Sequence, residues 1–234
     1  MTAYGNGDDA VLRLTYRRYV SQMTYAGGMV RQELRSESTQ RALLHSAREL
    51  FGARGFAGTS LGEVVQHAGV TKGALYHHFI GKEALFLAVF EEVERDLVID
   101  LRQAAAEQSD PRERLRVGCR AFLKACLNPV VQQIMLLDAP AVLGWETWRE
   151  IDSCHFAALL RSGLEAALPG PHQEALVVSR VQILRGALTE AALLVARSED
   201  QPATLAAVLD TIDDAMFRGV LSPAEAPLRV AAGS

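Results

Sequence analysis

Apolar residues recur every three or four positions through most of the chain, and no run alternates with period two among β-branched residues, so the pattern predicts helices throughout. Leu43, Leu44, Ala47, Leu50 and Phe51 mark one face of a first helix, which Ser38 or Thr39 can cap and which runs to Arg54, with Gly55 ending it. Leu61, Val64, Val65 and Ala68 mark a short second helix. Ser60 is its N-cap, and Glu63 stands three residues later, where a carboxylate can reach back to the Ser60 amide as a capping box. Gly69 falls where the chain needs a positive φ, and Val70, Leu75 and Phe79 resume the apolar spacing. That spacing buries these three and leaves Thr71, Lys72, Ala74, His77 and His78 facing outward, the pattern of a helix-turn-helix whose second helix can enter a major groove.

Ile80 and Gly81 separate this unit from a long helix starting near Lys82, with a stripe of Leu85, Phe86, Val89, Phe90, Val93, Leu97 and Leu101. Asp110, Pro111 and Glu113 open the next helix as N-cap, first helical residue and capping-box partner, and Asn128-Pro129 breaks it. A short apolar helix from Pro129 to about Asp138 follows, then a connection, then one helix from about Glu146 to Ala167. Beyond the turn at Leu168-Pro169-Gly170-Pro171, residues 173–197 form a helix with an unusually wide apolar surface, including Leu176, Leu188 and Leu194. Its small residues Gly186, Ala187, Ala191 and Ala192 allow close approach, so two packing partners are expected. The last helix runs from about Pro202 to Val220. The fold class is all-α: residues 36–82 a helix-turn-helix domain, 83–222 a second helical domain, 1–35 an N-terminal extension and 223–234 a tail.

Composition narrows the class further. At 234 residues, 49% hydrophobic and 22% charged, the chain can bury a sizeable core. It carries no apolar run of membrane-span length and no basic-then-apolar leader pattern, so a cytoplasmic protein is expected. Cys119, Cys126 and Cys154 are an odd number without close metal spacing, read as reduced thiols, either buried packing residues or redox sensors. Residues 36–82 hold five Lys and Arg against three Asp and Glu, while the rest of the chain holds 19 against 25. That local excess permits nucleic-acid binding without arguing for it. Residues 1–35, with Arg13, Arg17, Arg18, Arg31 and Arg35 among four tyrosines, read either as a basic arm reaching phosphates or as a disordered leader.

The block from the first helix to the third resembles the DNA-binding half of tetracycline-repressor-type (TetR) regulators. Leu50, Phe51, Gly55, Thr59, Ser60, Ala68, Gly69, Val70, Thr71, Gly73, Leu75, Tyr76, His78, Phe79, Lys82 and Glu83 carry the likeness in one unbroken stretch. The resemblance implies phosphate contacts at Tyr76, His78 and Lys82, and Ser60 at a helix start also suits a phosphate. Base reading falls to Thr71, Lys72, Gly73, Ala74 and His77: a lysine can donate to guanine O6 or N7, and a methyl can meet thymine. Gly62 stands where members of the family can carry a longer base-contacting side chain, and that contact is missing here.

By the same resemblance the last two helices pair with their counterparts in a second subunit, a twofold homodimer on a palindromic operator of double-stranded DNA. A small-molecule effector is implied in the second half. Phe122, Met135, Asp138, Trp145, Trp148 and Phe156 are its candidate lining, with Asp138 as polar anchor. No cofactor, metal site or catalytic constellation is expected, because HExxH, Gly-rich phosphate-loop and Gly-x-Ser-x-Gly patterns are absent. The expected function is a DNA-binding transcriptional regulator, a repressor released by its effector. The alternatives are a regulator controlled by a protein partner and, further off, an all-α enzyme.

Overall fold

The computed structural model describes residues 29–168 and 174–215, and among these every regular element is helical. Helix α1 spans Met29–Arg54, α2 Leu61–His67 and α3 Lys72–His78. The long α4 spans Lys82–Ala105 and α5 Pro111–Ala125. After Asn128 come α6, Pro129–Val131, a π-helical segment Gln132–Asp138, and α7, Ala139–Leu143. Trp145–Cys154 is α8, Phe156–Ala167 is α9, Glu174–Ala196 is α10 and Gln201–Ala215 is α11. Residues 1–28, the centre of the Leu168–Pro171 turn, Met216–Val220 and the tail lie outside the described residues.

Local chemistry sets most of the boundaries. The Ser60 hydroxyl accepts from the Glu63 amide at 3.2 Å while the Glu63 carboxylate accepts from the Ser60 amide at 2.8 Å, closing the expected box. The Ser60 hydroxyl, which donates to the same carboxylate at 2.7 Å, and then the Ser60 amide hold the Glu63 carboxyl below its ordinary range. Gly69 turns the chain at φ 66°, a left-handed conformation that a side chain resists. Asp110 caps α5 through the Arg112 amide at 3.2 Å, with Pro111 next. Glu113 does not close a box there, because Arg116 takes its carboxylate.

Three expectations about boundaries need correction. The first helix begins at Met29 and not at Ser38 or Thr39. No Gly or Pro interrupts 29–51, and a Ser or Thr caps only where the backbone has left helical geometry. The helix expected over 146–167 is two, parted at His155, whose φ of −113° and ψ of −79° leave the helical path. One turn before the break the Ser153 hydroxyl donates back to the Arg149 carbonyl at 2.6 Å, a bond that bends helices. The connection expected after Asp138 is itself helical over Ala139–Leu143, and the stretch from Gln132 to Asp138, helical as expected, is wound with the wider π spacing.

One continuous core runs through the molecule. Phe51, Phe86 and Phe90 are wholly buried, and Phe56, half-buried, meets both Phe51 and Phe86 with ring centroids 5.8 and 5.2 Å apart. Leu85, Phe86 and Phe90 from α4 join the α1–α3 core to the second half, so this helix belongs to both. Gly52 is needed at one crossing, since a Cβ there would come 2.7 Å from a methyl of Val130 on α6. At the far end, Arg116 and Arg120 on α5 tie Asp213 of α11 at 3.2 and 2.6 Å.

Candidate functional site

Two regions carry chemistry, and the first is the outer face of α3. Thr71 caps this helix, its hydroxyl accepting from the Ala74 amide at 3.2 Å. Leu75 and Phe79 anchor it from behind, fully or nearly fully buried. With the inner side held, Thr71, Lys72, Gly73 and His77 are exposed and Ala74 is half-buried. A Cβ on Gly73 would meet only the Thr71 hydroxyl at 3.9 Å, so the backbone there lies open to an approaching surface.

Tyr76 is 59% exposed and Ser60 is exposed, while His78 and Lys82 are half-buried. Burial and, secondarily, the neighbouring His77 hold the His78 imidazole below its ordinary pKa, which leaves it a neutral N–H donor near neutrality. Lys82 Nζ lies 4.1 Å from the Phe56 ring centroid, a cation–π contact that aims the ammonium from the start of α4. The Ser60 hydroxyl donates to the Glu63 carboxylate at 2.7 Å while accepting from the Glu63 amide, so a phosphate would have to draw its proton from that carboxylate. Gly62 is open, with only the Ser60 hydroxyl within 4 Å of an added Cβ.

The second region is a cavity among α4, α5, the π segment, α8, α9 and α10. Phe90, Phe122, Trp148 and Phe156 supply aromatic walls, with Met135 and Leu136 beside them. Glu94, Asp152 and Thr189 supply polar atoms. The enclosed space is small, about 20 Å³, room for little more than a water. Phe122 and Phe156 stack with centroids 4.3 Å apart.

Four of the six residues expected to line such a pocket do so: Phe122, Met135, Trp148 and Phe156. Asp138 does not. Its carboxylate accepts the Phe56 backbone N–H at 2.7 Å, in the link between α1 and α2, so it joins the two halves of the molecule and does not anchor a ligand. Trp145 is 62% exposed, packed on Trp148 at 5.1 Å and covered by the Arg149 guanidinium, because Gly144 starts α8 at φ 76° and turns the indole outward.

Sequence reasoning missed the cavity's carboxyls. Asp152 and Arg185 form a pair at 2.5 Å whose side chains are 11% and 5% exposed. Burial pushes Asp152 up to about 6, and it remains ionised against Arg185 at neutral pH. Glu94 is 1% exposed, and neither carboxyl oxygen has a hydrogen-bond partner among the described residues. Burial first, then the charges of Asp152 and Glu91, push Glu94 up to about 8. The only available signal was its position on the apolar side of α4, next to Val93 and Leu97.

Cys119 and Cys126 are buried, and burial pushes both thiols up to about 12, which suits packing and suppresses thiolate chemistry. Among the described residues no three His, Cys, Asp or Glu side chains converge in a way that could hold a metal ion. No single described helix is long and apolar enough to cross a membrane.

A three-helix unit that buries its inner side and offers a short polar helix outward, joined through one long helix to a cavity-bearing helical body, defines a helix-turn-helix regulator of two-domain helical type. Comparison with known proteins agrees. Residues 43–89 match the family described as bacterial regulatory proteins, tetR family, and residues 112–220 match the tetracyclin repressor-like C-terminal domain. A TetR-family transcriptional regulator from Pectobacterium atrosepticum is 31% identical, with a TM-score of 0.66 over 81% of this chain and 97% of that one. The chain belongs to the TetR family.

Among curated relatives, the transcriptional activator FasR of Mycolicibacterium smegmatis is 39% identical over 98 residues, 42% of this chain and 45% of the relative. The regulator LmrA of Bacillus subtilis is 33% identical over 130 residues, 51% and 64% of the two chains. The chain thus spans less than two thirds of these relatives.

Proposed function

We propose that this TetR-family protein binds an inverted-repeat operator as a homodimer and represses transcription until a small molecule entering the cavity releases it. The observation that carries this reading is the outer face of α3, where Thr71, Lys72, Gly73 and His77 stand free above a fully buried support. Lys72 is the strongest candidate for a base contact, with His77 and the methyls of Thr71 and Ala74 beside it. Ser60, Tyr76, His78 and Lys82 flank that face and suit phosphate oxygens, setting position without reading sequence.

Dimerisation is supported by α10. Ile183 and Leu194 are 64 and 57% exposed on it, with Gly186 and Ala187 open between them, an apolar outer face that a second copy would cover. A twofold axis there would set two recognition helices about 34 Å or more apart. Control by a ligand is supported by position: Met135 and Leu136 line the cavity, and Asp138, in the same π segment, holds the link that precedes α2.

Fluorescence anisotropy of duplex DNA from beside the gene, against random duplex over a salt series, tests the function. Preference for the local duplex with steep salt dependence is the expected result, and absence of binding even at low salt would reject it. Lys72→Ala should relax base preference, whereas Lys82→Ala should weaken all sequences alike and lower the salt slope by about 1. Transcription from the same duplex reads the sign of control, which matters because one relative is named an activator.

A further inference from the structure

Glu94 is the wall residue of the cavity whose carboxyl is fully buried with no hydrogen-bond partner among the described residues. Its two oxygens are buried and unpartnered among the described residues, while the carboxylate across from it, Asp152, is engaged by Arg185 at 2.5 Å. The Asp152–Arg185 pair contributes no net charge, and Arg185 also holds Gln182 at 2.8 Å. Glu91, on the same helix as Glu94, adds negative potential, while Arg149, which reaches Trp145 and Gln182, also favours the charged form of Asp152. The charge left over inside is therefore one carboxyl, surrounded by the rings of Phe90, Trp148 and Phe156. Aromatic faces attract cations, and a desolvated carboxylate without a counter-ion costs several kcal/mol unless it is protonated or paired.

We infer that the cavity takes a compact cationic ligand, an ammonium or amidinium on a small apolar or aromatic body, with Glu94 as its counter-ion. This inference rests on the reading of the cavity as the effector site and adds the chemical class. The enclosed space of about 20 Å³ holds little more than a water, so a ligand of this class enters only as the surrounding helices rearrange, and a compact one asks least of them. Cation binding would ionise a carboxyl that is otherwise protonated, so each ligand bound near pH 7 should expel a proton.

The test is calorimetry of the full-length protein with 2-phenylethylammonium and benzyltrimethylammonium as cationic probes and 2-phenylethanol as the neutral counterpart. Expected are tighter binding of the cations than of the alcohol, and a cation affinity that falls up to about 50-fold from pH 8 to pH 6, because a carboxyl titrating near 8 must give up its proton. Glu94→Gln should abolish both the preference and the proton release; the pH profile of the unaltered protein gives the same answer should that variant misfold. Equal binding of alcohol and cations at both pH values, or no cation binding at millimolar concentration, would overturn the inference. DNA release by the alcohol alone would leave effector control standing with a neutral ligand class. Cation binding without any DNA release would keep the site and remove its control of DNA binding.

Discussion

Removing the Asp138 carboxylate should loosen the junction between the two halves in a graded way. The bond from the Phe56 N–H is 2.7 Å long, partly buried, and spans 82 positions of sequence. A hydrogen bond to a charged acceptor contributes about 1.5–3 kcal/mol, and partial access of water to the bared N–H places Asp138→Ala near the lower figure. Asp138→Asn keeps an amide oxygen in the same place and loses only the charge assistance, so about half that cost is expected. For a chain of this size 1 kcal/mol corresponds to about 2–4 °C, giving a drop of about 3–6 °C for the alanine variant and less for asparagine. Scanning calorimetry reads the stability, and operator anisotropy reads whether freeing Phe56 also weakens DNA binding, expected at a few-fold. Asparagine melting as low as alanine, or neither variant moving the transition, would refute the assignment of Asp138 to the junction.

Three further outcomes follow from the geometry. Glu94 carries a folded-state pKa raised from 4.5 to about 8, so the folded chain retains a proton that the unfolded chain loses, and stability should fall as pH rises between those values. Relative to Glu94→Gln, urea denaturation of the ligand-free protein should show a loss of about 2–3 kcal/mol from pH 6 to pH 9; parallel curves would contradict the buried, unpartnered carboxyl. Thr71→Ala removes the cap of a seven-residue helix and should cost about 1 kcal/mol, with operator binding weakened in step; an unchanged melting curve would show that the 3.2 Å bond is idle. Ile183→Glu places a charge in the exposed apolar face of α10 and should give monomers by light scattering together with weaker operator binding, whereas a persistent dimer would locate the interface elsewhere.

The helix-turn-helix was legible because its punctuation is local. Ser60 with Glu63, Gly69 at positive φ, and Asp110 before Pro111 each act within one turn of chain, and each appears in the fold where the sequence pattern puts it. What escaped depends on distant partners. Ser38 and Thr39 have the chemistry of caps, yet the helix runs through them because no Gly or Pro interrupts 29–51. Glu94 sits next to Val93 and Leu97 on α4, and its burial is completed by residues of α8 and α10 that lie far off in sequence. Asp138 reads as a pocket anchor because it neighbours Met135, and its true partner lies in a link that no spacing rule connects to it.

The π winding of Gln132–Asp138 has a consequence in the arithmetic of chain length. A wider turn fits more residues into a given helical advance than an α-helix does, so this segment behaves as an α-helix with surplus residue inserted. Each residue added to or removed from a helix turns everything beyond it by about 100°. Shortening the segment by one residue would keep Met135 against Phe122 and Phe156 but swing Asp138 off the Phe56 amide. Related chains differing by a single deletion here could keep both domains intact and still lose the contact between them.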